Sequence, residues 1–400
     1  MKPRLCFITN IGPHYRLPIF QKISEIFSCD FYLGDRINTK IKTFDYNKLK
    51  GYKGTLNNRF FHNFYWQSGS IQLVNKDYTH YILDGEPYCL SSWIILLWTL
   101  IKHKETIAWT HGFYGNESFA KNIIKKAYYK LFTKLMVYSE YSISVMKSKG
   151  FNPEKMYCIA NSLDSAHLLD IRKGLCKSDV YSKHFNNNYP VVIYCGRIQK
   201  RKQLNQIIDS AKMLYEENCP INVIFVGKDI DRVDIPCYAK AKGIEQNVWM
   251  YGPCYEDSTL AELFYNASVC VSPGNIGLTA IHALSFGCPI ITHNNFAEQM
   301  PEFESIKPSK TGYFYQQGDI ADLKDKIRKV ISADEKTREE IREEAFKEID
   351  MKWNIDYQIN VLKKVLENEY SENVSSYTSK KLLSSYHGNL QSASARNSYS

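Results

Sequence analysis

Residues 191–214 read VVIYCGRIQKRKQLNQIIDSAKML, and residues 268–293 read SVCVSPGNIGLTAIHALSFGCPIITH. Each opens on a short apolar run, breaks at glycine and continues with apolar residues at helical spacing, which is a strand, a turn and a helix. The same alternation extends outward along the chain. In the first half it predicts strands at RLCFIT (4–9), CDFYL (29–33), HYILD (80–84), TIAWT (106–110), LMVYS (135–139) and MYCIA (156–160). In the second it predicts strands at VVIYC (191–195), NVIFV (222–226), VWMYG (248–252), SVCVS (268–272) and PIITH (289–293). Strands alternating with helix-length stretches imply an α/β protein, here two doubly wound domains.

With 400 residues the chain is long enough for two such domains. The polar stretch SKHFNNNYP (182–190) lacks any period and ends in proline, which places domains at 1–182 and 191–345 with a linker at 183–190. A charged helical region follows Asp319, with a C-terminal helix expected over 346–370. The Ser-, Tyr- and Asn-rich segment 371–400 is expected to be disordered.

Charge divides unevenly between the halves. Residues 1–190 carry 26 Lys/Arg against 14 Asp/Glu, whereas residues 191–400 carry 25 against 28. A basic half points to an anionic partner, and an anionic membrane surface fits better than nucleic acid, for which no binding module is visible. Residues 118–135 reinforce this. Ile123, Ile124, Ala127, Tyr128, Leu131, Phe132 and Leu135 predict one apolar helical face, opposite Lys121, Lys125, Lys126, Lys130 and Lys134. An ordinary core-facing helix with a lysine-rich outer side would read the same way. LSSWIILLWTLI (90–101) is too short to span a bilayer and is expected to be a buried helix. The 11 cysteines contain no C-x-x-C pair, so neither zinc nor a disulfide framework is signalled. The N-terminal sequence has no signal-peptide pattern, and the expectation is a cytoplasmic protein held peripherally on the inner face of the cell membrane.

Both decisive stretches place polar groups at strand ends. Gly196 turns the first into a loop bearing Arg197, Lys200, Arg201 and Lys202, cations that either meet a diphosphate or face solvent. In the second, Asn275 is the expected N-cap, and the amides near Gly277, Leu278 and Thr279 form an anion site at a helix start. His282 lies two turns beyond Asn275, so it faces either the ligand or the core.

The segments GRIQKRK and SPGNIGLTAIHALSFGCPII…PE, with TGYFYQQGD further on, resemble the donor-binding domain of glycosyltransferase family 4, the group 1 glycosyl transferases, which implies the GT-B fold of two facing Rossmann-like domains. The resemblance implies that Arg197 and Lys202 act on the donor diphosphate beside Gly277. It implies that Gly227 and Lys228 sit near the nucleotide base, and that CIANSLD (158–164) leaves the first domain. In the first domain WTHGFYG (109–115) is similar to the family's strand-end histidine loop and nominates His111 as catalytic. NIGPHYR (10–16) occupies the place of its first glycine-rich loop, which makes Asn10, Gly12 and Arg16 acceptor-side candidates. Asp84 and Glu86 end another strand at this edge, where they either position sugar hydroxyls or form a solvated turn. The family's Glu-x7-Glu pair is replaced by Gly274 and His282.

The expected activity is sugar transfer from a nucleotide-diphosphate donor to a lipid-linked or oligosaccharide acceptor in surface polysaccharide (capsule or O-antigen) synthesis. Retention of anomeric configuration is implied by the resemblance, with neither metal nor cofactor required. A nucleotide-sugar epimerase and a catalytically silent GT-B binding subunit are the competing readings. A nicotinamide dehydrogenase is disfavoured because neither first loop reads G-x-G-x-x-G, and Asp229-Ile-Asp231 is an isolated D-x-D match.

Overall fold

The computed structural model describes residues 3–38 and 41–367. The expected tail at 371–400 and the last residues of the expected 346–370 helix lie outside them.

Eight strands form the first sheet: β1 (Arg4–Thr9), β2 (Ser28–Gly34), β3 (Tyr52–Phe61), β4 (Phe64–Ser68), β5 (His80–Asp84), β6 (Glu105–Thr110), β7 (Lys134–Val137) and β8 (Met156–Cys158). Their order is β4-β3-β2-β1-β5-β6-β7-β8, parallel except for the β3–β4 hairpin. Helix α1 (Leu17–Ile26) covers one face, where Phe20 meets Phe7 and Phe31. Helices α2 (Leu90–Ile101) and α3 (Phe119–Tyr129) lie on the other, and α4 (Glu140–Ser148) follows β7.

The second sheet is fully parallel, in the order β11-β10-β9-β12-β13-β14. Its strands are β9 (Val191–Cys195), β10 (Asn222–Val226), β11 (Val248–Gly252), β12 (Val269–Ser272), β13 (Ile290–His293) and β14 (Gly312–Tyr315). Two buried clusters sandwich it. One side carries α5 (Ser165–Lys173), α6 (Val180–Phe185), α9 (Asp257–Asn266), α10 (Thr279–Ser285) and α12 (Glu335–Lys352). The other carries α7 (Asn205–Glu216), α8 (Ile235–Ala241) and α11 (Ile320–Ile331), and α13 (Ile355–Glu367) closes the described chain.

Every expected strand forms, within two residues at each end. Three were missed. β3 (YKGTLNNRFF) and β4 (FYWQS) carry too many polar residues for an apolar run, since they form an edge hairpin with an alternating burial pattern. β14 has only four residues.

The passage between lobes comes earlier than 183–190. Leu168 and Tyr181 already share a core with Ile193 and Cys270, so the crossing falls at 159–164, within CIANSLD. Residues 183–185 end helix α6, and Asn186 terminates it at φ 55°.

Two helix readings also change. α2 is buried on one side only: Ile95 and Leu96 lie in the core, while Leu97, Trp98 and Ile101 are exposed on its outer side. α3 stops at Tyr129, so Lys134 and Leu135 belong to β7. Lys125 turns inward to pair with Glu117 at 2.8 Å, leaving Lys121, Lys126 and Lys130 exposed.

A short turn, Pro301–Ser305, joins the two lobes. Glu304 is buried, and its carboxylate accepts from the amides of Glu140 (3.0 Å) and Tyr141 (2.5 Å) at the start of α4. An acidic group there complements the helix dipole and satisfies two otherwise free donors. Burial raises the Glu304 carboxyl, opposed first by Lys352, whose Nζ lies 3.7 Å away. Removing one partner of a buried charge pair strands the other. Glu304→Ala should therefore lose about 3–5 kcal/mol of stability, read by chemical denaturation, with Glu304→Gln losing less.

Candidate functional site

In an open α/β sheet, ligands sit beyond the carboxyl ends of strands where the strand order reverses. The second sheet reverses at β9, between β10 and β12, and the first at β1, between β2 and β5. The candidate residues cluster at these two points: 196–203 follows β9, 273–279 follows β12, 10–16 follows β1 and 84–86 closes β5.

On the second lobe the loops interlock through backbone. A Cβ on Gly227 would lie 1.8 Å from the carbonyl oxygen of Gly196, and Gly227 itself has φ +154°. These two glycines thus let adjacent strand ends touch. Ile198 N donates to Lys228 O at 3.0 Å, continuing the pairing, while the Lys228 side chain is exposed.

Residues 200–202 form a single 3-10 turn lying over Gly274 and Asn275. Lys202 Nζ donates to the carbonyl of Asn275 and to its Oδ1 (2.8 Å), and Arg201 reaches the same Oδ1 at 3.1 Å. Asn275 is therefore held by cations and is not the helix N-cap: α10 starts at Thr279, with Leu278 in the cap position and no side-chain cap. The Lys202 ammonium is pushed down to about 8, chiefly by burial, then by Arg201 and Arg197, with Glu302 opposing. Arg197 stands exposed at the strand end, its carbonyl accepting from Tyr194 Oη at 2.8 Å.

The loop 273–278 is fixed from below by Gln299. This buried side chain accepts from Ile276 N (2.8 Å) and donates to Thr292 Oγ1 (2.9 Å) and His293 O (3.0 Å). Thr279 Oγ1 donates to Cys195 O at 3.1 Å, which ties the two loops together. The amides of Gly277, Leu278 and Thr279 precede the first bond of the helical turn, Ala280 N to Gly277 O. With only seven residues α10 is short, and the donors left free at its start are those of the loop itself.

His282 is paired with the start of α9. Its Nε2 lies 3.0 Å from Asp257 Oδ1 at the start of α9, its ring packs near Phe264 and Phe286, and this contact is the leading cause of the lowered Asp257 carboxyl. Gly274, where the family has its first Glu, has no room for a side chain. A Cβ there would meet Arg201 O and Lys202 Cα, each at 2.8 Å.

On the first lobe, Asp84 accepts from Thr9 Oγ1 (2.5 Å) and Asn10 N (2.6 Å), and Arg16 lies 4.0 Å from its other oxygen. Burial raises the Asp84 carboxyl and Arg16 opposes that most strongly; the Glu86 carboxyl is raised by burial too. The Arg16 guanidinium covers the Trp109 and Tyr138 rings at 5.5 and 5.6 Å. His111 packs 4.7 Å from the Tyr138 ring with a buried, unpartnered Nδ1. Burial, then Arg16 and Lys125, push this imidazole down to about 4, so it is neutral at pH 7. Gly12 is needed for space: a Cβ would lie 2.7 Å from the Phe44 ring.

Between the lobes lies a cleft of about 390 Å³, lined by Tyr114 and Asn116 from the first and by Arg201, Gly274, Asn275 and Gln299 among others from the second. Tyr114, Asn116 and Gln299 escaped the sequence reading, because isolated polar residues in loops carry no periodic signal. Glu302 escaped it as well. It is buried, accepts from Asn161 Nδ2 at 2.8 Å and leaves Oε2 without a partner. Asp229 and Asp231 are spent on loop amides, those of Val233 and Lys200. Among the described residues no group of three or more His, Cys, Asp or Glu could hold a metal ion.

Gln299→Ala would leave the Ile276 amide without its acceptor and release the loop. It should cost about 1–3 kcal/mol, measured as a shift in the denaturation midpoint.

Residues 179–348 match the family model described as glycosyl transferases, group 1. A curated relative, the capsular polysaccharide biosynthesis glycosyltransferase CapM of Staphylococcus aureus, is 25% identical over 182 residues, covering 44% of this chain and 44% of its own. The chain thus aligns with less than half the length of that relative. Among solved structures, Anabaena HepE in complex with UDP matches with TM-score 0.69 at 15% identity, over 92% of this chain and 100% of its own. The apo lipopolysaccharide outer core galactosyltransferase WaaB matches with TM-score 0.66 at 15% identity, over 92% and 99%. The second lobe therefore carries the group 1 glycosyl transferase match, on a chain whose two lobes have the GT-B fold.

Proposed function

We propose that the protein is a glycosyltransferase that moves a sugar from a nucleotide-diphosphate donor to a lipid-linked or oligosaccharide acceptor in surface polysaccharide assembly, with retention of configuration and without a metal. One observation carries the reading: a largely buried lysine, Lys202, and two arginines, Arg197 and Arg201, converge at the point where the second sheet reverses. The UDP and UDP-glucose complexes of HepE and the capsular role of CapM support a nucleotide donor and a polysaccharide product.

As the bond from sugar to diphosphate breaks, negative charge grows on the departing phosphate. Fixed cations stabilise that state more than the ground state. In the free protein Lys202 spends its donors on Asn275. The diphosphate takes over from that amide, and its charge holds the ammonium protonated. His111, kept neutral, offers hydrogen bonds and no charge, as suits a group beside an acceptor hydroxyl. Asp84 and Arg16 at the first sheet's reversal point supply the acceptor side. The missing room at Gly274 favours one second reading, a GT-B subunit that binds donor without turning it over. Donor hydrolysis by the isolated protein separates the two.

Lys202→Ala and Arg197→Ala should each lower turnover about 100–1,000-fold while shifting the melting temperature little, and chelators should have no effect. Near-parental turnover in both variants sinks the proposal. The pH profile gives a second check. Lys202 loses its proton as pH rises through about 8, so kcat/KM, which reports the free enzyme, should fall on the alkaline side of that value. Lys202→Arg should remove this limb.

A further inference from the structure

Helix α2 is apolar on both sides. Its inward side places Ile95 and Leu96 in the core beside Ser91, Ser92 and Thr99, and the three buried hydroxyls are hydrogen-bonded: Ser91 Oγ accepts from Gln67 N, Ser92 Oγ pairs with Tyr128 Oη, and Thr99 Oγ1 donates to Ile95 O. Its outward side carries Leu90, Ile94, Leu97, Trp98 and Ile101, a continuous stripe at helical spacing. Leu97 is 50% exposed, Trp98 42% and Ile101 76%. A surface helix ordinarily turns polar residues outward, and a contiguous exposed apolar face of this kind marks an interaction surface.

The neighbouring elements extend the face. The β3–β4 hairpin, which packs against α2, exposes Phe61 and Phe64 on either side of its turn. Helix α3 touches α2 through Trp93 and Tyr128 and exposes Phe119 and Ile123 one turn apart, flanked by the exposed Lys121, Lys126 and Lys130. Lys102 follows at the end of α2, within 5.9 Å of the Trp98 ring. An apolar centre edged by lysines, in the half of the chain with the excess of positive charge, complements an anionic lipid surface. A second protein copy would have to bury the same lysines against their like.

We propose that α2 is a membrane-docking helix, lying flat with its Ile94–Leu97–Trp98–Ile101 side sunk among the acyl chains of an anionic bilayer while the α3 lysines meet the headgroups. Twelve residues span only about 18 Å, short of the ~30 Å hydrocarbon core, so the helix lies in the interface and does not cross it. Trp98 and Lys102 sit at the depth where indole and ammonium groups anchor a protein to the interface. The inference deepens the proposed function, since a surface-bound enzyme reaches a lipid-linked acceptor, yet docking itself needs no sugar chemistry.

The test is co-sedimentation of the full chain with vesicles of phosphatidylcholine containing about 30% phosphatidylglycerol. Ile94→Gln/Leu97→Gln/Trp98→Gln replaces three exposed side chains with a good helix former, so melting should match the parent. Partition onto vesicles should fall about a hundredfold. In the parent, brominated acyl chains should quench a fluorescence component that Trp98→Phe abolishes. Lys121→Glu/Lys126→Glu/Lys130→Glu should weaken binding and its salt sensitivity while leaving quenching of any bound protein intact. The proposal is overturned if the triple Gln variant binds like the parent, or if Trp98 is not quenched. It is equally overturned if the parent ignores vesicles and forms a dimer that the triple Gln variant dissolves. Donor hydrolysis is measured in parallel without lipid: its absence would count against the transferase reading alone, and failed vesicle binding against docking alone.

Discussion

The structure turns on seven residues, Gln299 to Ser305, that lie between the loop 273–278 and the first lobe. Gln299 holds that loop through Ile276 N, Glu302 meets Asn161 in the crossing segment, and Glu304 caps the first amides of α4. Three side chains from one short segment thus connect the loop after β12, the crossover and the opposite lobe. Phe303 adds an apolar contact, its ring 5.8 Å from Tyr141 and stacked on Phe296 at 4.6 Å. Because Glu302 and Glu304 are both buried, neither bond can be exchanged freely for water, and their geometry is stiff. The loop at the second sheet's reversal point is therefore tied to the start of α4, three residues after β7 ends at Val137.

Much of this architecture was legible in sequence because parallel strands buried on both faces are near-continuous apolar runs, as VVIYC and the VIFV of β10 are. Where burial is one-sided the signal fades. β3 alternates buried and exposed residues along a polar sequence, and only its register with β4, Phe61 opposite Phe64, marks it as a strand. The crossing at 159–164 carries little sign of a break, since Asn161 and Ser162 are buried and bonded to Glu302 and Gln358 rather than solvated. Polar residues there point to a crowded junction, while the more polar 183–190 begins with the end of a helix.

The candidate site divides along the same line. Positions fixed by backbone needs were readable: Gly196 and Gly227 stand where two strand ends touch, and Gly12 where an aromatic ring fills the space. Residues whose role depends on long-range partners were not. Nothing near His282 in sequence announces Asp257, 25 positions earlier, and nothing near Ile276 announces Gln299. Helix α2 was misread for a related reason. Its composition is that of a helix buried all round, yet only the side with Ile95, Leu96 and the three hydroxyls is covered, and a run apolar on both sides does not show which side stays outward.

Gly274 and Lys202 belong to one arrangement. The turn 200–202 settles directly on the backbone of residue 274, with Lys202 Cα 2.8 Å from where a Cβ would stand. A carboxylate at 274 would have to displace that turn, and it would also neutralise the cations whose mutual repulsion, with burial, holds the Lys202 ammonium down near 8. With glycine there the site keeps an uncompensated positive charge, offset at distance by Glu302 and locally by the neutral oxygens of Asn275. Neutral oxygens yield to a dianionic ligand at far less cost than a paired carboxylate would. In the proposed function this glycine leaves the cations free for the donor's phosphates, and selectivity for the donor sugar would then come from other groups on the cleft wall, among which Tyr114, Asn116 and Gln317 present hydrogen-bonding side chains.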